Sequence, residues 1–478
     1  LLKKMHKGEM NSTPLSTPLC TPQRGVNVCV ITLGCAKNQV DAEGMAASLL
    51  REGFSFVSDP EEAEVIILNT CAFIQEAVQE SFATVRQLAR FKRRGVCKFL
   101  VVAGCLVQRF ESALIEKLPD VDLFVGLPAM VRIGPILTRY LSGGGSGKCL
   151  HSSPRHREAK TRDSPRGERL VPGLWAYVKI AEGCSNHCSY CTLPQIRGPM
   201  RSRRPKEILE EVAHLADMGV LELNLVAQDV AAYGRDRGAG TSLPLARLLR
   251  RIHRIDAVRW IRLLYCHPAH VDGELIRVIG DLEKICPYLD LPIQHVSKPV
   301  LKAMKRPYGR EELLGVVERL RQARPDIALR TTVMVGFPGE KEEDFENLLH
   351  FLQEVRFHHV GAFCYSPEPG TAAYAMTPSV PQKEGRSRYR AVLKLQSRIS
   401  REIQRRYVGT LQEVLIEGAR DETGRFLQAR TRYQAPEVDG IVWIQKPGSS
   451  PTGLTQVRIT DAHTYDLVGR IASKPART

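Results

Sequence analysis

The stretch KIAEGCSNHCSYCTLP, residues 179–194, places Cys184, Cys188 and Cys191 on one polar loop. The run that enters it, WAYVKI (175–180), is apolar with aromatic and β-branched residues, so it reads as a strand. The thiols then leave the C-terminal end of a strand, where α/β folds bind ligands. Three thiols are one short of the four ligands of a structural zinc and of the four irons of a cube. His187 would complete a Cys3His zinc site. Four ligands in so short a loop would crowd it, however, and structural zinc sites draw ligand pairs from separate segments. Three buried structural cysteines fit a polar loop poorly. A cluster with one open iron accounts for the odd number, and the missing ligand is then a cofactor or substrate.

Five further apolar runs follow: LELNLVA, WIRLLYC, YLDLPI, ALRTTVMVG and HVGAFCYS. Helical patterns separate them. In RPKEILEEVAHLADMG (204–219), Ile208, Leu209, Val212, Leu215 and Ala216 share one face, and Gly219 is placed to stop the helix. Six β–α repeats are too few for an eight-fold closed barrel. They predict a partial (β/α)6 barrel over residues 171–404, with its chemistry at the C-terminal strand ends.

Residues 26–141 alternate in the same way and predict a parallel α/β domain. Here Cys35 follows VNVCVITLG, Cys71 follows VIILNT and Cys105 follows FLVVAG. The C-terminal ends of a parallel sheet share one edge, so three cysteines 36 and 34 residues apart converge there. The pattern predicts a second three-thiol site. Cys29 and Cys97 sit at strand bodies and fit plain packing. Residues 142–170, rich in Gly, Ser, Pro and charge, read as a basic flexible linker. Residues 405–472 hold five short strand patterns with turns between, an OB-like five-stranded β-barrel. Residues 1–25 have neither the apolar core of a secretory signal nor the Arg-rich amphipathic helix of a mitochondrial presequence, and read as a disordered extension.

A chain of 478 residues predicts two to four domains. At 43% hydrophobic and 25% charged the composition is that of a soluble globular protein, and no run approaches the ~18 apolar residues of a membrane span. Thirteen cysteines without an export signal point to metal or redox chemistry in a reducing cytoplasm rather than to disulfides. The net charge of +16 suits an anionic partner such as a ribonucleoprotein, or a general solubility bias.

The CxxxCxxC loop, with Tyr190 before its last cysteine and a partial barrel behind it, resembles the radical S-adenosylmethionine (SAM) superfamily. The resemblance implies that Cys184, Cys188 and Cys191 hold a [4Fe–4S] cluster whose open iron is chelated by SAM. VAQD, with Gln228 and Asp229, resembles the segment that meets the methionine amino group. RTTVMVGFPGE resembles the fifth-strand segment, where Arg330 would pair with a carboxylate and Gly336 and Pro338 would let the backbone approach SAM. Tyr190, and Gln294 of LPIQHVSKPVLKAMKRPY, would line the same pocket. Each short segment reads equally well as a strand-to-helix turn.

With Cys35, Cys71, Cys105 and the terminal barrel added, Val26 to Ile471 resembles the methylthiotransferases. That family implies two [4Fe–4S] clusters facing one another across the substrate. One SAM methylates a sulfide on the first cluster. A second SAM gives a 5′-deoxyadenosyl radical that takes hydrogen from a C–H, and the methylthio group is delivered to that carbon. A donor such as flavodoxin or ferredoxin supplies electrons.

Two branches differ in substrate: a tRNA adenosine, or the β-carbon of an aspartate of ribosomal protein S12. VITLGCAKNQVDAE, KIAEGCSNHCSYC, IRGPMRSR and AQDVAAYGRD resemble the ribosomal-protein branch. Charge agrees. From Tyr407 to Thr478 there are nine Lys/Arg and eight Asp/Glu, too balanced for a barrel gripping a tRNA backbone. Basic runs lie elsewhere, at Lys148–Leu170 and in RQLARFKRRGVCK (86–98), as solvated faces or as contacts with rRNA near S12, free or in the small subunit. A third reading, a non-enzymatic iron–sulfur or RNA-binding protein in which the barrel does the work, would not need the intact three-cysteine loop and the SAM-like strand-end segments together.

Overall fold

The structure, a computed structural model, describes residues 25–144, 149–151, 173–238, 244–420, 424–445 and 452–472. The extension read at the N-terminus lies outside these except for Gly25.

Strands β1 (Asn27–Thr32), β2 (Ser55–Phe56), β3 (Val65–Thr70), β4 (Phe99–Gly104), β5 (Leu123–Val125) and β6 (Cys149–His151) form one sheet in the order β2-β1-β3-β4-β5-β6. All five pairings are parallel. β3 is buried throughout, as a strand covered on both faces must be. Its alternate residues divide between two cores: Ile66 and Leu68 pack with Val85 and Leu88, and Val65 and Ile67 with Met45 and Leu49. Within the stretch read as linker, Cys149–His151 adds the sixth strand beside β5. Only backbone pairing defines so short a strand, and no apolar run announces it.

In the second unit β7 (Trp175–Lys179) is followed by a ribbon of β8 (Ala181–Glu182) and β9 (Arg201–Ser202). Then come β10 (Glu222–Val226), β11 (Trp260–Leu263), β12 (Ile285–Asp290), β13 (Ala328–Val335) and β14 (His359–Cys364). The sheet order β14-β13-β12-β11-β10-β7 is open and parallel, a six-stranded partial barrel. Ile208, Val212, Leu215 and Ala216 are the buried residues of helix Pro205–Asp217, and Leu209 is half-buried against the same core. Gly219, at φ +89°, follows its end in the left-handed conformation that glycine adopts without steric cost.

The third unit is a closed barrel of β15 (Leu411–Arg420), β16 (Phe426–Thr431), β17 (Val442–Gln445), β18 (Gly453–Ala462) and β19 (Leu467–Ile471), in the order β15-β16-β17-β19-β18. It plugs the N-terminal end of the partial barrel. Glu222, at the start of β10, accepts from Arg262 Nε at 2.9 Å and from Arg430 Nη2 of the closed barrel at 2.6 Å. Tyr177 and Tyr288 donate to Glu437 and Asp439 at 3.0 and 2.8 Å. With that end filled, the C-terminal strand ends face the first unit. No helix of the described residues is long and apolar enough to cross a membrane.

Candidate active site

Cys35, Cys71 and Cys105 follow β1, β3 and β4, three adjacent strands, and gather around Asn38. Cys35 Sγ and Cys105 Sγ lie 3.8 and 3.9 Å from Asn38 Oδ1. Asn38 Nδ2 donates to the Leu33 and Thr70 carbonyls at 2.8 and 3.0 Å, tying two strand ends together. Gly34, at φ +102°, permits the closure: a Cβ there would stand 2.8 Å from Cys71 Cβ. Burial pushes the Cys71 thiol up to about 12, and Cys105 and Cys35 add to the shift. Burial also raises Cys105. Burial would raise Cys35 too, but Lys37 and Arg197 outweigh it and hold that thiol below its ordinary value.

The second set sits on the loop after β7 and β8. Ser189 anchors it, donating from N–H to Met304 O at 3.1 Å and from Oγ to Ala303 O at 2.7 Å. Cys184 Sγ accepts from Asn186 N–H at 3.4 Å. Burial pushes Cys184 to about 11, and burial beside Cys188 pushes Cys191 to about 12. His187 is exposed. Among the described residues, neither cysteine set has its three sulfurs all within 4.8 Å of one another. One tetrahedral zinc, with Zn–S near 2.3 Å, would draw them to about 4 Å.

The remaining sequence-read residues surround this loop. The Tyr190 ring packs edge-on to Phe337, with centroids 6.3 Å apart, and its hydroxyl accepts from Arg306 Nη2 at 2.9 Å. Asp229 accepts from Asn186 Nδ2 at 2.8 Å and from the His267 N–H at 3.2 Å, and pairs with His270 Nδ1 at 2.6 Å. Gln228 Nε2 donates to Glu182 at 3.2 Å, while its buried Oε1 has no partner among the described residues. Gln294, at φ +66°, prolongs β12 by accepting from Met334 N–H at 2.7 Å. Pro338 is buried, and Gly336 lies against helix Gln382–Arg405, where an added Cβ would stand 3.3 Å from Gly385 Cα. Arg330 lies on β13. Its Nη1 donates to Asp290 at 3.0 Å, and Nε lies 3.4 Å from Asp439 of the closed barrel. Two protein carboxylates thus flank this guanidinium.

One seam joins the two sets. Arg197, on the short helix after Cys191, places Nη2 3.3 Å from Cys105 Sγ, 2.8 Å from Asn38 Oδ1 and 2.9 Å from Asp41 Oδ2. Its Nη1 donates to Glu182 at 2.8 Å. Lys179 pairs with Asp41 and Glu182 alongside. Thr192 Oγ1 donates to Phe73 O at 2.9 Å. Two other buried cations at the site, Lys37 and Arg306, have no carboxylate partner among the described residues. Lys37 Nζ lies 3.3 Å from the Tyr265 ring centroid, and Arg306 forks between the Tyr190 and Tyr308 hydroxyls. Each sits beside one cysteine set, where thiolate charge would balance it.

Residues 27–126 match Uncharacterized protein family UPF0004, residues 178–352 the Radical SAM superfamily and residues 408–472 the TRAM domain. The chain is 44% identical to the ribosomal protein uS12 methylthiotransferase RimO of Geobacter sulfurreducens, over 93% of its own length and 98% of that protein's. It is 42% identical to the RimO of Pelobacter propionicus, over 94% and 98%. This chain belongs to the RimO family. It is a radical SAM methylthiotransferase, of a superfamily that uses SAM and a [4Fe–4S] cluster. The radical SAM methyltransferase TsrM of Kitasatospora setae shares its fold at TM-score 0.53 and 16% identity, covering 73% of this chain and 74% of that one.

The residues of this RimO-family chain fit those groups. Three thiols stand at each edge as thiolate donors, and Gln228 Oε1 is a buried acceptor without a partner among the described residues. Sequence reasoning passes over Asn38, Lys37, Arg197 and Arg306. Only nearness to cysteines marks the first three, because the contacts that define them join residues distant in the chain.

Proposed function

We propose that this chain transfers a methylthio group to the β-carbon of an aspartate of ribosomal protein uS12, free or within the small subunit. The observation that carries the reading is Arg197, which joins the loop bearing one cysteine set to Cys105 of the other. In this reading Cys184, Cys188 and Cys191 hold one [4Fe–4S] cluster, and Cys35, Cys71 and Cys105 hold a second. When bound, the clusters and SAM supply the methyl group, the sulfur and the radical that opens the C–H bond.

The chain's own residues position and enclose. The Ser189 anchors fix the loop against the helix Lys298–Ala303 region, and Tyr190 with Phe337 walls the SAM side. Asp229, held by Asn186 and His270, and Gln228 present polar groups to the methionine end. Gln294, Gly336 and Pro338 shape the backbone of the opposite rim. Arg330, paired with Asp290 and Asp439, balances the lumen's charge and lines the SAM pocket. Lys37 and Arg197 hold negative charge at the first set. The closed barrel seals the lumen's far end, so the radical step runs away from water. An external donor such as flavodoxin or ferredoxin supplies the electrons.

The test is mass spectrometry of uS12 and of tRNA from a deletion strain and its complement. The methylthio mass on uS12 should vanish and return with the gene. Loss of methylthiolation from tRNA with uS12 unchanged would transfer the chain to the tRNA reaction.

A further inference from the structure

Helix Gln382–Arg405 joins the partial barrel to the closed barrel. Its buried face carries Val392, Gln396, Ile399 and Ile403. Lys383, Arg386, Arg390, Lys394, Arg398 and Arg405 are all exposed. At about 100° per residue these six fall within an arc of about 120°, centred opposite that buried face. Arg401 lies in the same arc and reaches Thr464 Oγ1 of the closed barrel at 3.3 Å. The stripe runs the length of a 24-residue helix, about 36 Å.

Charge pairing separates this face from an ordinary solvated one. The helix's own carboxylates, Glu384 and Glu402, lie outside the stripe and are already paired. Glu384 is taken by Arg388 at 3.0 Å, and Glu402 by Arg356 at 2.6 Å. None of the stripe's cations has an ion pair among the described residues. In the basic run at 86–98, by contrast, three of the six cations are paired: Lys92 with Asp122, Arg93 with Asp120 and Lys98 with Glu64. The other run noted in the sequence, Lys148–Leu170, lies outside the described residues except for 149–151. Placement matters too. The helix begins where Gly385 meets Gly336 at the rim of the site and ends against the closed barrel.

We propose that this stripe docks the enzyme on the phosphate backbone of ribosomal RNA, so that the rim of the site is presented to its protein substrate. The proposal rests on the reading that the substrate is a ribosomal protein. Such a substrate is itself basic and would be repelled by the stripe, whereas the RNA around it would be attracted. An unneutralised row of Arg and Lys is what backbone contact requires, and it carries no base specificity.

The test compares wild type with the triple variant Arg390→Gln, Lys394→Gln, Arg398→Gln, all three surface positions on a helix held by its opposite face. Binding to purified small ribosomal subunits is measured across a salt series, and turnover is measured on free uS12. The variant should bind subunits at least tenfold more weakly, with a log–log salt slope reduced by about 2 to 3, one for each phosphate left without its cation. Turnover on free uS12 should match wild type. Equal affinity and slope for the two proteins would overturn the proposal. So would a loss confined to anionic lipid vesicles with subunit binding intact. If wild type modifies uS12 in neither form, the substrate reading fails, while the binding comparison still decides the stripe.

Discussion

Arg197 Nη2 lies 3.3 Å from Cys105 Sγ, although 92 residues separate them in the chain. The guanidinium is 2% exposed and also meets Asp41 and Glu182. It is therefore both a joint between two units and a charge beside one cysteine set. Arg197→Met should leave Lys179 as the one cation paired with Asp41 and Glu182 among the described residues. Breaking a buried pair from one side costs about 3–5 kcal/mol. The variant should melt at lower temperature and, after anaerobic reconstitution, bind iron nearer to one cluster per chain than two. Arg197→Lys should restore part of the stability but little of the iron, since a point charge cannot fork between these partners.

The two cysteine sets should separate by mutation. Cys188→Ala should abolish 5′-deoxyadenosine formation while methyl transfer from SAM to the protein persists. Cys71→Ala should do the reverse, keeping SAM cleavage and losing methylthio product. Product analysis under anaerobic reduction reads both. If either variant lost both half-reactions while folded, the division of labour would be wrong.

Cys35 should be more acidic than Cys71, Cys105, Cys184 and Cys191 in the metal-free protein. Lys37 and Arg197 hold its thiol low despite burial, whereas Cys71 and Cys191 stand near 12. Only the thiolate is nucleophilic. In chelator-treated protein at neutral pH, peptide mapping after iodoacetamide should find Cys35 modified before Cys71, Cys105, Cys184 or Cys191. Lys37→Met should move the Cys35 alkylation profile to higher pH.

Glu222 should govern acid stability. Burial would raise its carboxyl, but Arg430 and Arg262 outweigh burial and hold it below the ordinary carboxylate value. A carboxyl depressed in the folded state stabilises fully above its unfolded pKa of about 4.3, and that stability is lost as pH falls through the folded value. Melting temperature should therefore fall steeply below about pH 4 in wild type. Glu222→Gln leaves Arg262 and Arg430 buried with one partner fewer, so it should be destabilised by about 3–5 kcal/mol at pH 7 and show a shallower acid decline.

Much of the candidate site is legible in the amino-acid order alone. The loop at Cys184, Cys188 and Cys191 declares itself by local spacing, and Cys35, Cys71 and Cys105 by their place after apolar runs, because strand polarity puts successive C-terminal ends on one edge. β2, β5 and β6 are not legible, since strands of two or three residues carry too little periodicity. Arg330 stands on the strand that its local sequence predicts, but its protein partners are not legible there. Its second carboxylate, Asp439, lies more than a hundred residues later in another unit.

The sequence by itself determined the element types, the three-unit order and the two thiol sets, because period, turn chemistry and ligand spacing are local properties of the chain. Tertiary structure alone decided which charges meet: Arg197 with Asp41 and Glu182, Glu222 with Arg262 and Arg430, and Lys37 over Tyr265 with no carboxylate at all among the described residues. Ion pairing between units leaves no periodic trace in sequence, because any acidic residue can meet any basic one until packing excludes the rest.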